Sequence, residues 1–523
     1  MSDEPTLKLA VSQRRIMTGS IMVATIMQTL DSTIANVALP QMQGSFSSTQ
    51  EQTAWILTSY IVAAAIATPA TGFLAGRFGR KNLLAGAVIG FTVSSMLCGA
   101  ATSLEEMVFF RVLQGLSGAA FVPLAQSILL DVYSVEQRAS AMAMWGVGVM
   151  VGPIVGPALG GYLTDYYSWR WVFYINVPFG IIALAGILLG MPSLALDRLR
   201  RFDWFGFACL GLAIGAFQIM LDRGTYLDWF ASNEIILEAF IASVALYLFL
   251  AHAATARNPF IELRLFRDRN LALGLIIIFI VGMILYATMA LLPPFLETLM
   301  GFPVMTTGLV LAPRGIGTMV AMLIAGQIAN RIDNRLLIAF GLILASFSLW
   351  EMAQFNLEVS EWTIIRTGIT QGFGIGFIFV PLTTLTFATL SIDLRTEGTS
   401  FYSLLRNVGS SVGISTGVTF ITYMTQYNHA EMAARISPLN PAIRYNTLPG
   451  WDMTSLQGLE MINGEVTRQA ATIAYLNDFR LMMYLALISV PLAFLMRVRA
   501  PENTADETGD TVDEVESAVA AIH

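Results

Sequence analysis

The most constraining feature of this sequence is a series of apolar runs, each about twenty residues long, separated by short polar stretches. About twenty apolar residues are needed for one helical crossing of a bilayer. The 523 residues are 55% hydrophobic and only 12% charged, whereas soluble domains are about one quarter charged. We therefore predict an all-α membrane protein that crosses the bilayer many times.

Fourteen such runs are predicted as transmembrane helices. Their approximate bounds are 16–39, 54–75, 82–102, 107–131, 139–163, 170–191, 204–221, 235–256, 270–293, 306–329, 335–355, 362–390, 398–423 and 478–499. Because the count is even, both termini are expected on the same side of the membrane.

The charges in the loops predict the orientation. Alternate loops are rich in Arg and Lys, whereas the opposite loops 40–53, 102–106 and 297–305 contain neither residue. By the positive-inside rule the basic loops and both termini are cytoplasmic. The tail 500–523 holds seven acidic residues and no basic one, a composition typical of a disordered, solvated segment.

The two parts of the chain repeat the same short motifs in the same order. The segment 72–77 returns at 326–331, Gln114 with Gly115 returns as Gln371 with Gly372, and the glycines at 148, 152 and 156 return at 409, 413 and 417. This repeat predicts six-helix bundles at 1–200 and 259–499, with two inserted helices at 201–258. Parallel repeats of this kind place a substrate cavity between the halves, near the membrane midplane.

Asp31 is the only ionisable residue in its apolar run. A carboxylate there costs roughly 2.5–3.5 kcal/mol on insertion scales, and such acids commonly mark proton or ion pathways. Asp31 is therefore the leading candidate for a proton site. The alternative is a structural acid that is hydrogen-bonded to Ser32, Thr33 or a neighbouring helix.

Arg111 and Gln114 open the fourth predicted helix. From the rise of 1.5 Å per residue, both lie at a depth similar to that of Asp31, so the three side chains form one polar cluster if helices 1 and 4 adjoin. The alternative for Arg111 is a side chain that snorkels to the interface.

The fifth predicted helix carries glycines at every fourth position from Gly148 to Gly160, a stripe that allows close helix packing. Pro153 and Pro157 interrupt its hydrogen bonds and predict a bend, which is either part of a transport cycle or purely structural. The predicted substrate-binding or gating residues are Asn36, Gly152, Pro153, Gly156, Pro157, Gln371 and Arg406.

A short glycine-rich turn joins helices 2 and 3. Its glycines permit a tight reversal of the chain direction. Its Arg and Lys side chains can bind the carbonyl groups at helix ends and anionic lipid head groups. The residues concerned are Gly72, Arg77, Gly79, Arg80 and Lys81. The alternative is a plain basic loop on the cytoplasmic side.

These motifs together resemble those of the major facilitator superfamily. The glycine-rich turn, R-x-x-Q-G at Arg111 and the Gly-Pro motif of helix 5 are similar to its signatures, and the segment 30–40 with fourteen helices resembles the fourteen-helix DHA2 branch. The segments 221–224 (L-D-R-G) and 227–230 (L-D-W-F) resemble those of EmrB-type multidrug efflux permeases. The resemblance implies a major facilitator fold in which Asp31 couples protons, Arg111 is its basic partner and the helix 5 motif serves antiport. One departure is Gly76, because many family members have an acid there and a charge-relay role at that position does not carry over.

The resemblance implies a proton-coupled exporter of lipophilic small molecules in the inner membrane, driven by the proton gradient without a cofactor. The long external loop predicted at 425–477 is either a mobile connector or a docking surface for an EmrA-like adaptor and a TolC-like channel. No nucleic-acid partner is expected. No Walker loop, zinc spacing or nucleophile elbow supports an enzyme, and a scaffold or sensor without transport activity is the remaining alternative.

Overall fold

The computed structural model describes residues 11–192, 202–256, 259–436 and 455–497. Within those residues the chain forms two short 3-10 helices, at Trp229–Ala231 and Leu263–Arg267, and fourteen helical units, some with a short internal break. They are α1 (Val11–Phe46), α2 (Gln50–Ala67 and Ala70–Phe78), α3 (Arg80–Ala100), α4 (Leu104–Gly118 and Phe121–Val132), α5 (Val135–Tyr166), α6 (Trp171–Tyr174 and Asn176–Gly190), α7 (Trp204–Arg223), α8 (Asn233–Thr255), α9 (Arg269–Pro294, continued by the π-helical turn Phe295–Leu299), α10 (Val304–Ile328), α11 (Asn334–Met352), α12 (Glu361–Thr386), α13 (Ile392–Ala433) and α14 (Leu456–Phe494).

Eleven of the described helices are long and apolar enough to cross a membrane, and α2 makes a twelfth if its two segments form one span. Neither α1 nor α13 meets that criterion, because Ser, Thr and charged residues interrupt their apolar sequence. The chain is thus a multi-pass membrane protein, while the count of fourteen spans remains a prediction for these two helices.

The helix contacts in the first six helices return in the last six. In the first set α1 packs against α5 and α6, α4 packs against α2 and α3, and α3 packs against α6. In the second set α9 packs against α13 and α14, α12 against α10 and α11, and α11 against α14. Every pair is shifted by eight helices, so the repeated motifs correspond to a repeated architecture of two halves.

The inserted helix α7 lies between the two halves. On one side Thr58 of α2 donates a hydrogen bond to Asp222. On the other side Gln218 donates to Ser411 of α13 at 2.6 Å, and Ser415 donates to the carbonyl oxygen of Leu221 at 2.7 Å. Helix α7 therefore links α2 to α13, and α8 packs on the outside of α7.

The two ends of the bundle differ. We call the end where α2 meets α3 the basic end, and the end from which α13 and α14 extend the arm end. At the basic end Arg395 of α13 forms an ion pair with Asp131 of α4 at 3.0 Å. Nearby, the hydroxyl oxygens of Ser127 and Thr396 are 2.9 Å apart. The halves are thus in direct contact at the basic end.

The prediction of a loop at 425–477 was wrong for residues 425–433 and 456–477, which are helical, and the last helix begins before the membrane span that was predicted to start at 478. Helix α13 continues to Ala433 and α14 begins at Leu456, since these segments are rich in Ala, Glu, Gln and Met, which favour helix. We call residues 424–433 and 456–477 the arm. Its two helices are joined by a hydrogen bond of 2.9 Å between His429 and Asn463. The intervening residues 437–454 and the acidic tail lie outside the described residues.

Candidate functional site

Asp31 lies on α1 and is only 1% exposed. Its carboxylate accepts three hydrogen bonds from other helices. Oδ2 accepts from Nη1 of Arg111 at 2.7 Å, while Oδ1 accepts from Nε2 of Gln114 at 2.9 Å and from Nδ2 of Asn176 at 2.7 Å. The structure therefore brings the three residues predicted from the sequence into one cluster and adds a fourth.

Arg111 is fully buried, so it does not snorkel to the membrane surface. Its guanidinium carbon is 5.1 Å from the ring centre of Tyr60 and 5.0 Å from that of Phe173, which are cation–π distances. Nη1 also donates to Oε1 of Gln114 at 2.8 Å. Nε and Nη2 have no hydrogen-bond partner, so Arg111 is held mainly by Asp31 and two aromatic rings.

Asn176 is a residue of the cluster that sequence reasoning missed. It begins the longer segment of α6 and is fully buried. Its Nδ2 also donates to Ser95 of α3 at 2.8 Å, and Ser95 donates to the carbonyl oxygen of Phe173 at 2.9 Å. The sequence did contain a signal for Asn176 as a site residue, because it is a strongly polar residue within the apolar run 170–191.

The cluster is electrostatically balanced and closed. Asp31 and Arg111 have opposite charges, and both side chains are 0% exposed. Charges inside a membrane protein are costly unless they are paired and hydrogen-bonded. Because Asp31 can gain a proton whereas Arg111 stays charged, the cluster can exist in two states of different net charge.

The second half contains an uncharged copy of this cluster. Gln371 donates a hydrogen bond to Oγ1 of Thr288 at 3.3 Å, and both residues stand 257 positions after Gln114 and Asp31. At the same offset from Arg111 stands Gly368. Gln371, which the sequence predicted as a substrate-binding or gating residue, is thus fully buried in a cluster that has neither the acid nor the base.

The glycines of α5 hold this helix against α1. A Cβ added at Gly152 would be 2.5 Å from the carbonyl carbon of Thr29, and one at Gly156 would be 2.1 Å from Oγ1 of Thr33. Thr33 in turn donates to the carbonyl oxygen of Gly152 at 3.1 Å. This contact lies within one helical turn of Asp31.

Helix α5 also reaches the other half, since it packs against α10 and α12. A Cβ added at Gly315 of α10 would be 2.2 Å from Ile154. Pro153 and Pro157 lie inside one unbroken helix, and whether they serve the transport cycle remains a prediction. Asn36 is exposed and not part of the cluster, and Arg406 is half-buried on α13.

The glycine-rich turn at the basic end makes specific contacts beyond those of a plain loop. Gly79 has φ of +80°, a conformation that favours glycine. Arg80 forms an ion pair with Asp131, and Nζ of Lys81 donates to the carbonyl oxygen of Leu188 at 2.9 Å. A Cβ at Gly72 would be 2.7 Å from the side chain of Glu397, and Arg77 is exposed.

Comparison with known proteins assigns the family. The Major Facilitator Superfamily profile matches residues 21–414. The multidrug export protein EmrB of Escherichia coli K12 is 36% identical over 470 residues, which cover 88% of this chain and 91% of that protein. The fatty acid resistance protein FarB of Neisseria gonorrhoeae is 34% identical, with 92% of this chain and 95% of that protein covered.

Solved structures agree on the fold. The human organic anion transporter MFSD10 superposes with a TM-score of 0.61 at 14% identity, covering 92% of this chain and 99% of that one. The proton:xylose symporter XylE has a TM-score of 0.59 at 10% identity, covering 92% of this chain and 95% of that one. The chain is therefore a transporter and not an enzyme, and it belongs to the major facilitator superfamily as an EmrB-type multidrug efflux permease.

Proposed function

We propose that this permease is a proton-coupled antiporter that exports lipophilic small molecules by alternating access. The observation that carries the proposal is the sealed cluster around Asp31, in which a carboxylate and a guanidinium form an ion pair inside the membrane bundle. Acids inside a membrane bundle are functional-site candidates, and in pumps and transporters they form proton relays. No cofactor is required, because the proton gradient supplies the free energy.

The contacts around Asp31 provide a physical route from proton binding to domain movement. When Asp31 takes up a proton, the charge of Arg111 loses its counter-ion, and the hydrogen bonds to the carboxylate weaken. Helix α1 is packed against α5 through Thr29 and Thr33, and α5 is packed against α10 in the other half. A rearrangement at Asp31 therefore shifts the helix that forms the interface between the halves.

The proposed orientation follows from the loop charges. The basic end, with Arg77 and Arg80, faces the cytoplasm, since basic loops are retained on that side. Both termini then lie in the cytoplasm, the arm lies outside, and the protein resides in the inner membrane. A proton enters from the outer side as substrate leaves.

The decisive experiment replaces Asp31 by Asn, which keeps the shape of the side chain and one of its two acceptor oxygens but cannot carry a proton. We expect Asp31→Asn to bind substrate and to lose pH-driven efflux in everted vesicles. Asp31→Glu should retain part of the activity. Wild-type protein in detergent should release protons when substrate is added, and Asp31→Asn should release none.

Asp333→Asn is the matched control, since Asp333 is an acid in the loop before α11 and is not part of the cluster. We expect it to transport like the wild type. Efflux against a gradient by the Asp31→Asn protein would exclude Asp31 as the proton site. Equal losses in both variants would indicate a general effect of removing an acid.

We further propose that the arm docks a periplasmic adaptor of the EmrA type, which connects to a TolC-like outer-membrane channel. The arm carries exposed apolar side chains, including Tyr427, Leu456 and Met461 at 54%, 76% and 46% exposure. Exposed apolar groups beyond the membrane are typical of protein-binding surfaces. Replacing Tyr427, Leu456 and Met461 together by Ser should abolish resistance in cells but preserve dye transport in vesicles that contain the permease alone. Loss of both resistance and vesicle transport, or loss of neither, would contradict a docking role.

A further inference from the structure

Arg314 is a buried cation of the second half that has no acidic partner in the described part of the chain. It lies on α10, ten residues after the helix begins, and is only 9% exposed. Within the described ranges its guanidinium makes one hydrogen bond, from Nη2 to the carbonyl oxygen of Leu285 at 3.3 Å. Among the described residues no Asp or Glu forms an ion pair with it.

The internal repeat shows why the counter-ion is missing. A Cβ added at Gly115 would lie 2.4 Å from the carbonyl oxygen of Tyr60. A Cβ added at the equivalent Gly372 would lie 2.1 Å from the carbonyl oxygen of Arg314. Arg314 therefore stands where the first half has Tyr60, beside the cluster. In the second half the position of Asp31 is occupied by Thr288, so the base at Arg314 has no carboxylate to balance it.

The same repeat leaves room for a small group beside Arg314. Gly368 stands at the position equivalent to Arg111, and a Cβ added there would have the Cβ of Arg314 as its one neighbour within 4 Å, at 3.6 Å. The adjacent residue Gly315 contacts Ile154 of the other half. Arg314 thus lies next to the interface between the halves, where a parallel repeat places the substrate cavity.

A second arginine lies near the same stretch of α9. The backbone of Arg406 contacts Gly282, which is one turn from Leu285, and its Nε has no hydrogen-bond partner. Among the described residues this half has two buried acids, Glu397 and Asp478. Glu397 lies nine residues before Arg406 on α13, about 14 Å away along the helix, and Asp478 lies against Gly417, about 16 Å along α13 from Arg406. Neither arginine is therefore neutralised by a nearby carboxylate.

A guanidinium inside a membrane protein is costly unless an anion balances it, and its planar donors match the geometry of a carboxylate. We propose that Arg314, assisted by Arg406, forms an anion site in the substrate path, so that preferred substrates are amphiphiles with a carboxylate head and an apolar tail. This inference rests on the proposed export function and names the substrate class.

Binding to the purified full-length protein in neutral detergent tests the site without requiring transport. The probes are dodecanoate and dodecyltrimethylammonium, which have equal chain lengths and opposite charges. Wild-type protein should bind dodecanoate at least tenfold more tightly. Arg314→Gln should weaken dodecanoate binding about tenfold or more, as expected for a hydrogen bond to a charged group, and should leave the cation unaffected or bound more tightly. Arg314→Lys should retain part of the affinity.

Arg366→Gln is the control, because Arg366 is 55% exposed and pairs with Glu351; it should bind both probes like the wild type. Preference for the cation by the wild type would overturn the proposal even if Arg314→Gln does not fold. Equal weakening of both probes by Arg314→Gln would indicate a structural role and would also overturn it.

Two further measurements distinguish the anion site from proton coupling and from lipid binding. Asp31→Asn should bind dodecanoate normally while failing to export it, so failure of proton coupling and failure of the anion site give different results. A lipid phosphate is the other possible source of such an anion. Displacement of dodecanoate by phosphatidylglycerol, together with no dodecanoate transport by wild-type vesicles, would assign the site to lipid and overturn the substrate proposal.

Discussion

Gln114 and Gln371 are equivalent residues of the two halves with different partners. Gln114 donates to Asp31 and accepts from Arg111, whereas Gln371 donates to the hydroxyl of Thr288. Both side chains are fully buried. The pair therefore offers a comparison in which size and burial are the same and the charge of the partner differs.

We expect Gln114→Leu to reduce pH-driven efflux at least tenfold and Gln371→Leu to reduce it by about fivefold or less. A hydrogen bond to a charged group contributes about 1.5–3 kcal/mol, compared with about 1 kcal/mol for a neutral pair, and each 1.4 kcal/mol corresponds to a factor of ten. The measurement is initial efflux of a fluorescent dye from vesicles with equal amounts of each variant. A larger loss in Gln371→Leu would contradict a special role for the charged cluster.

From the sequence, the depth of the site residues in the membrane could be predicted better than the side chains that surround them. Depth follows from position along a helix of constant rise, so Asp31, Arg111 and Gln114 were correctly placed together. Rotation about the helix axis depends on packing against neighbouring helices, which a single sequence does not encode directly. For that reason the positions of the Tyr60 ring and the Asn176 amide beside Asp31 and Arg111, and the unbalanced charge of Arg314, became visible only in the structure, although Asn176 already stood out in the sequence as a polar residue in an apolar run.

At the scale of helices, the α1–α5 contact connects the cluster to the interface between the halves. Gly152 is in contact with backbone atoms of Thr29, which cannot move aside as a flexible side chain would. Gly161 lies on the same helix, and nothing is within 4 Å of a Cβ added there. These two glycines differ mainly in what surrounds them.

We expect Gly152→Ala to separate α5 from α1 and to lower both the melting temperature and the efflux rate. Gly161→Ala should leave the efflux rate unchanged and maintain or raise the melting temperature, since Ala favours helix by up to about 1 kcal/mol over Gly. Thermal unfolding in detergent and vesicle transport provide the two measurements. Wild-type behaviour of Gly152→Ala would show that close packing at this position is not required.

Helix bounds were predicted well where the apolar pattern alone determines them. The predicted span 270–293 compares with Arg269–Pro294, and 235–256 with Asn233–Thr255. The prediction failed where a helix continues beyond the apolar region, as in the arm, because hydropathy marks the membrane and not the end of the helix. It also missed the 60° bend between the segments of α2, which occurs at Pro69, a residue without a backbone N–H.

On the scale of the whole molecule, the repeat in the sequence correctly indicated the repeated helix contacts, because glycine and glutamine motifs mark close helix approaches. It did not indicate how the halves meet. In the structure α4 and α13 are joined at the basic end by Asp131 with Arg395 and by Ser127 with Thr396. Nearer the arm end, α7 links α2 to α13. This arrangement closes the basic end.

Alternating access requires the basic end to open, so a covalent link there should stop transport. Ser127 and Thr396 are suitable positions, because their hydroxyl oxygens are 2.9 Å apart and a disulfide needs Cβ atoms about 3.5–4.5 Å apart. The native Cys98 and Cys209 are buried and do not pair. We expect the double variant Ser127→Cys, Thr396→Cys to lose efflux after oxidation and to recover it with a reducing agent, whereas either single variant should transport in both conditions. Full transport by quantitatively cross-linked protein would show that substrate reaches its site without separation of α4 from α13 at the basic end.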